Sequence, residues 1–195
     1  MNVHAETTYQ IDTLMAKDLD YEDVWRFETR CFHVVPLAEG GEARKEIASL
    51  DGLLCAPGYV PGTQGYDDTF DVFDSRSGHA CAAFEVISDN QDCIDQALGG
   101  MGLLLQGSGL ILLERGFVES KHRGNKIMLR MMRDARKATS GLGRVAMLQA
   151  FPDGNEISDQ DCRQLAQYYA SDTALSFIEI APSALAGWMV ANWST

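Results

Sequence analysis

The stretch Leu110–Val118 reads LILLERGFV, and its apolar start continues through a short turn into a segment at 125–140 with helical periodicity. Met128, Met131, Met132 and Ala135 recur there on one side, at the spacing of a helix face. A second apolar run, RVAMLQAF at 144–151, follows. An apolar strand, an amphipathic helix and another apolar strand in succession require a sheet with a helix laid over it. Further along, 158–170 reads as a helix and 174–180 and 187–193 as strands. The N-terminal part is expected to open with an edge-like strand at 7–14. Two helices follow, one at 19–32, where Leu19, Val24, Phe27 and Cys31 have helical spacing, and one at 43–54. After the glycine- and proline-rich stretch 56–66, two strands at 68–74 and 79–88 form a hairpin through SRSG, and 89–107 holds a short helix and a glycine-rich connection. The fold class expected from this order is α/β (α+β), a mixed sheet covered by helices.

Charge is distributed unevenly. The 195 residues carry 16 Lys+Arg and 28 Asp+Glu, a net −12. Residues 115–144 hold nine of the cations against two acids, whereas 1–114 hold six cations and 20 acids. The basic segment coincides with the strand–turn–helix. Such a turn presents unpaired amides and the positive end of a helix dipole, a place for phosphate. Lys121, His122, Arg123 and Lys126 sit in or beside the turn, and Lys126, Arg130, Arg133 and Lys137 share one helical face. A compact ligand bearing several phosphates fits this pattern. Extended nucleic acid does not, because the remaining surface is acidic. Gly116, inside the strand, marks a bulge, a close approach of ligand to backbone, or a packing requirement.

Other residue classes are less informative. Five cysteines without a C-x-x-C pair read as small core residues, and no two of the four histidines have metal-ligand spacing, so no metal is expected. No run approaches a membrane-spanning length, and the start of the chain has neither a basic region nor an apolar run of a secretory signal. A soluble, cytoplasmic protein is the expectation. The final strand, with Trp188 and Trp193, leaves room for a homodimer.

The segment FVESKHRGNKIMLRMMRDAR resembles the acyl-CoA-binding segment of the GNAT superfamily of N-acyltransferases. In that family an apolar–Val pair ends the fourth strand, and Arg/Gln-x-x-Gly-x-Gly/Ala opens the next helix. Phe117, Val118, Arg123 and Gly124 fall at matching places, as does the order of elements that follows. Lys126 and Met128 stand where the family has small residues. The resemblance covers about 68–193 and implies a single domain over 1–195, with an N-terminal strand and helices at 1–67 and the acyl-CoA core at 68–193. The sheet it implies is mostly antiparallel, with a splayed fourth strand.

Its functional implication is transfer of an acetyl or other acyl group from acetyl-CoA, or a related acyl-CoA, to an amine. The implied donor site comprises Phe117, Val118, Arg123, Gly124, Asn125, Lys126, Met128 and Arg130, with Arg133 as a second phosphate candidate. Glu114 resembles the base of some members, the alternative being a salt bridge to Arg115 or a helix lysine; Glu85 is a second carboxylate. Tyr169, rather than Tyr168, matches the proton donor to the leaving thiolate. Acidic residues including Asp67, Asp68, Asp71 and Asp74 suit a cationic amine. Two alternatives accompany this reading: a catalytically inactive binding protein of the same fold, and an acyltransferase that takes its group from an acyl carrier protein.

Overall fold

The computed structural model describes residues 8–21, 23–37, 39–55, 71–104, 108–142, 144–152, 157–180, 185 and 187–194. Seven strands form one sheet in the order β1-β2-β3-β4-β5-β7-β6. They are β1 (Thr8–Lys17), β2 (Val24–Pro36), β3 (Glu42–Cys55), β4 (Leu110–Val118), β5 (Val145–Gln149), β6 (Ile178–Glu179) and β7 (Trp188–Asn192). Neighbours pair antiparallel except β4 and β5, which run parallel from Leu110 opposite Val145 to Leu113 opposite Leu148. The described helices are α1 (Gly78–Asp89), α2 (Gln91–Ala97), α3 (Ile127–Ala138) and α4 (Asp159–Ala170). This is the mixed, mostly antiparallel sheet with a splayed fourth strand that the GNAT resemblance implies.

Each face of the sheet has its own core. On one side α3 packs Met128, Met131, Met132 and Ala135 against Phe27, Cys31, Leu50, Ile111 and Leu113. On the other, Ala80, Ala83, Phe84 and Ile87 of α1 and Ile94 of α2 cover Val24, Leu53, Leu110 and Leu112. Strands covered on both faces are continuously apolar rather than alternating, which is why β4 and β5 were legible as strands. Among the described residues no helix is long and apolar enough to cross a membrane.

Three expectations are overturned. The segments 19–32 and 43–54 are not helices; they lie in β2 and β3, and in the lead-up to β2. The helical spacing at Val24, Phe27 and Cys31 arises because one strand supplies both cores, Val24 to one face and Phe27 and Cys31 to the other. Cys31 of β2 pairs with Ala48 of β3 and Phe32 with Glu46, so Ile47 is an extra residue in β3 that shifts the alternation and imitates a period near 3.6. The expected hairpin is helical instead: 71–74 are helical, and 79–88 lies in α1, whose N-cap Ser77 accepts a hydrogen bond from the Ala80 amide at 3.0 Å. The strand expected at 174–180 shortens to Ile178–Glu179. Stretch 56–66, Asp67 and Asp68 lie outside the described residues. Trp188 and Trp193 are both buried in the cores, so neither ring is presented to a second copy.

Candidate active site

The sheet opens between β4 and β5. Their pairing ends at Leu113 and Leu148, yet β4 continues to Val118 while β5 stops at Gln149. Next to this fork, Gly52 pairs with Leu113 and Asp51 with Arg115, leaving Glu114 as a bulged residue. A side chain at Gly52 would place its Cβ 2.2 Å from Phe27 Cζ and 2.6 Å from the Leu112 carbonyl oxygen, so the bulge is built against a position only glycine can fill. The bulge lies at Glu114, not at Gly116. Gly116 answers instead to packing: a Cβ there would meet Met128 Cε at 2.7 Å.

Beyond β4 the chain makes a short 3-10 turn, Ser120–His122, and reaches α3 through Gly124 at φ 84° and Lys126 at φ 56°. Asn125 Nδ2 donates to the His122 carbonyl at 3.0 Å and braces the turn. The Arg130 amide bonds the Lys126 carbonyl at 3.1 Å. The amides of 127–129 therefore precede the first intrahelical bond and point out of the helix end. Lys126 is an exposed left-handed N-cap that makes no side-chain capping bond.

The basic face divides in two. Arg133 is bound to buried Asp172 at 2.6 Å, and Lys137 lies 3.9 Å from Asp134. Arg133 is thus held away from the role of second phosphate ligand. Arg130, exposed, lies 5.8 Å from the Tyr9 ring centroid. Arg123 Nε donates to the Val118 carbonyl at 3.1 Å, which fixes the guanidinium at the end of β4. His122 is buried, and burial, then the nearby Lys121, lowers its pKa.

Three adjoining cavities follow the fork. The first, about 280 Å³, is lined by Val118, His122, Arg123, Lys126 and Tyr168 among others. The middle one, about 220 Å³, shares Gly116, Met128 and Tyr169 with it. The third, about 800 Å³, lies towards Asp18, Asp51 and Arg76 and shares His79, Glu114 and Arg115 with the middle one. The three cavities thus succeed one another along shared walls, from the amide-rich turn past Tyr169 to Glu114 and a cleft that holds five carboxylates and three arginines. Phe117 is 46% exposed and pairs with Ser49 of β3, while Val118 pairs with Ala48, so both lie at the far end of the fork.

Glu114 is bonded neither to Arg115 nor to a helix lysine. Its Oε1 accepts from the Ser77 hydroxyl at 3.1 Å, so Ser77 both caps α1 and holds the carboxylate. Glu85 is exposed on α1, away from this junction, and its expected place on a neighbouring strand is corrected. Tyr168 and Tyr169 are half-buried with ring centroids 5.6 Å apart, and Tyr169 borders the cavity that also holds Glu114. Burial, then Asp172, raises the Tyr168 pKa. Burial pushes the Cys55 thiol up to about 12 and also raises Cys31, Cys81 and Cys162, which disfavours thiolate chemistry at all four.

Sequence reasoning missed Ser77 and His79. His79 stacks on Trp188 with centroids 5.3 Å apart and planes at 12°. The signal for its place lies in Ala80, Ala83, Phe84 and Ile87, which have helical spacing behind a capping serine.

No family model and no curated protein matches the chain. Among solved structures it is similar to one described as the crystal structure of AtaTR bound with AcCoA, with 10% identity, a TM-score of 0.43, and coverage of 95% of this chain and 94% of that one.

Proposed function

We propose that the protein is an N-acyltransferase that moves an acetyl or other acyl group from acyl-CoA to an amine. The observation that carries this reading is the fork between β4 and β5, with outward amides and the exposed cations Arg123, Lys126 and Arg130 at one end and Glu114 beside a large cleft at the other. The residues at the turn fit a pyrophosphate: the amides of 127–129, Gly124 with open space around it, and the side chains of Lys126, Arg123 and Arg130. Acyl-CoA would supply the activated thioester. The unpaired edge of β4 from Glu114 to Val118 gives an extended ligand arm a strand to lie against, as an added strand would. A β4 amide near Val118 polarises the acyl carbonyl. Glu114 draws the ammonium group of the acceptor, and Tyr169 gives its phenolic proton to the departing sulfur. The large cleft carries Asp20, Glu28, Asp51 and Glu114 beside Arg26, Arg76 and Arg115, a balance slightly on the acidic side that suits a cationic amine.

Calorimetry with acetyl-CoA tests the donor half, with affinity in the micromolar range expected; no heat at millimolar ligand refutes it. Release of free thiol in the presence of amines tests the transfer.

Met128 favours a second reading, a binding protein of this fold that does not take CoA, because its side chain covers Gly116 inside the fork. In that case Lys126→Gly with Met128→Ala creates acetyl-CoA affinity that the parent lacks. Equal affinity in parent and variant counts against it.

A further inference from the structure

We propose that His79 removes the proton from the acceptor amine, with Glu114 and Ser77 as positioning residues behind it. This assignment rests on the acyltransferase reading and gives the proton to a residue that the family resemblance does not point to. His79 borders both the large acidic cleft and the middle cavity, so it stands where the routes of amine and acyl donor meet. Its Nε2 is buried and meets no partner at hydrogen-bond geometry among the described residues, although the Leu113 backbone and the Gln149 side chain approach the ring. An enclosed imidazole nitrogen without a partner leaves a polar group unsatisfied, a cost that a substrate N–H would relieve. Glu114, in contrast, already accepts from Ser77.

The surroundings suit a base. Burial lowers the His79 pKa, so the ring is neutral and able to accept a proton at pH 7; its place in the first turn of α1 acts in the same direction. Glu114, the Leu113 backbone and the Gln149 side chain oppose that shift and stabilise the imidazolium once formed. The stacked Trp188 ring adds a favourable face for the cation. The charged and titratable groups around the junction are Glu114 and Arg115 of β4, Arg76 ahead of α1, Asp51 of β3 and Tyr169 of α4.

The proton inventory closes. The ammonium R–NH3⁺ gives one proton to His79 Nε2 and its freed lone pair forms the C–N bond as the thioester C–S bond breaks. Tyr169 protonates the sulfur and recovers the second proton lost by nitrogen. His79 returns its proton to water through the acidic cleft. The products are amide, free thiol and one proton, with no oxidant or reductant required.

The test is the pH dependence of thiol release from acetyl-CoA with tyramine, putrescine and Nα-acetyl-lysine, for the full chain and for His79→Gln, His79→Ala and Glu114→Gln, beside acetyl-CoA binding by calorimetry. In the parent, kcat/KM rises with pH through an ionisation below 6.5, well apart from the amine's own near 10. His79→Gln removes that limb and lowers kcat/KM by about 10²- to 10⁴-fold, while acetyl-CoA binding is unchanged. Added imidazole restores rate to His79→Ala. Glu114→Gln keeps the limb but moves it to lower pH, because a charge that raised the pKa is gone. A parental rate and limb in His79→Gln overturn the assignment. So does a limb that survives in His79→Gln and vanishes in Glu114→Gln, which gives the proton to the carboxylate. If His79→Gln loses acetyl-CoA binding as well, imidazole rescue of His79→Ala decides, and its absence overturns the proposal. Acetyl-CoA binding without thiol release by the parent, with any of these amines, removes the acyltransferase reading and this assignment together.

Discussion

At Gly52, a phenyl ring and a neighbouring carbonyl approach so closely that a single methyl group has no room. Because the carbonyl belongs to Leu112, the clash cannot be relieved by a rotamer change alone. Gly52→Ala is expected to lower the unfolding free energy by about 1–3 kcal/mol, read from urea midpoints, and to disturb the Glu114 bulge directly opposite. Asp18 makes a different kind of demand. Its carboxylate is buried and accepts from the Asp20 amide at 3.0 Å, from Arg26 at 3.0 Å and from Arg76. Burial works against the charge, but the amide and the two guanidinium groups hold the carboxyl below its ordinary pKa. A depressed carboxyl pKa stabilises the fold above the unfolded value near 3.8, and the contribution is lost as pH falls through the folded one. Asp18→Asn leaves Arg76 without its buried partner and is expected to cost about 3 kcal/mol near neutral pH. Its denaturation midpoints should then fall less steeply than the parent's as pH drops below about 3.8.

Among the elements, α1 joins fold and candidate chemistry, since one serine caps the helix and holds the carboxylate. Ser77→Ala is expected to cost about 1 kcal/mol in thermal or urea unfolding through loss of the cap, and to lower thiol release while sparing acetyl-CoA binding. Element type was legible where burial is simple. In α3 and α4 the apolar pattern comes from one buried face, and in β4 and β5 an unbroken apolar run is covered on both faces, so each was placed within a few residues. In β2 and β3 the pattern has two origins, cores on both faces combined with an extra residue at Ile47, and their superposition has the spacing of a helix. The candidate site divides the same way. Its basic turn was legible because charge and helix spacing are local, whereas the pairing of Ser77 with Glu114 spans 37 residues and the stacking of His79 on Trp188 spans 109, distances that no local pattern records.

For the molecule as a whole, net charge conceals a division of labour. The acidic part lends the large cleft Asp20, Glu28 and Asp51, which outnumber the cations Arg26, Arg76 and Arg115 once Glu114 and the paired Asp18 are added, and the basic segment supplies the turn at the other end of the fork. Acetyl-CoA affinity is therefore expected to fall with ionic strength, and the KM of a cationic amine to rise, as the screening length shrinks below about 8 Å; titrations at low and high salt measure both. The fork itself has a mechanical meaning. Strand pairing across it is only four residue pairs long, from Leu110 opposite Val145 to Leu113 opposite Leu148, and the two cores, which cross this seam on both faces, do the rest of joining β5 and β7 to the β1–β4 sheet. Amides of the buried seam are expected to exchange slowly, and those of β4 past Leu113 that face the fork, with no partner strand there, faster. A ligand that laces the fork would take the place of the missing strand partner and slow exchange at those β4 amides.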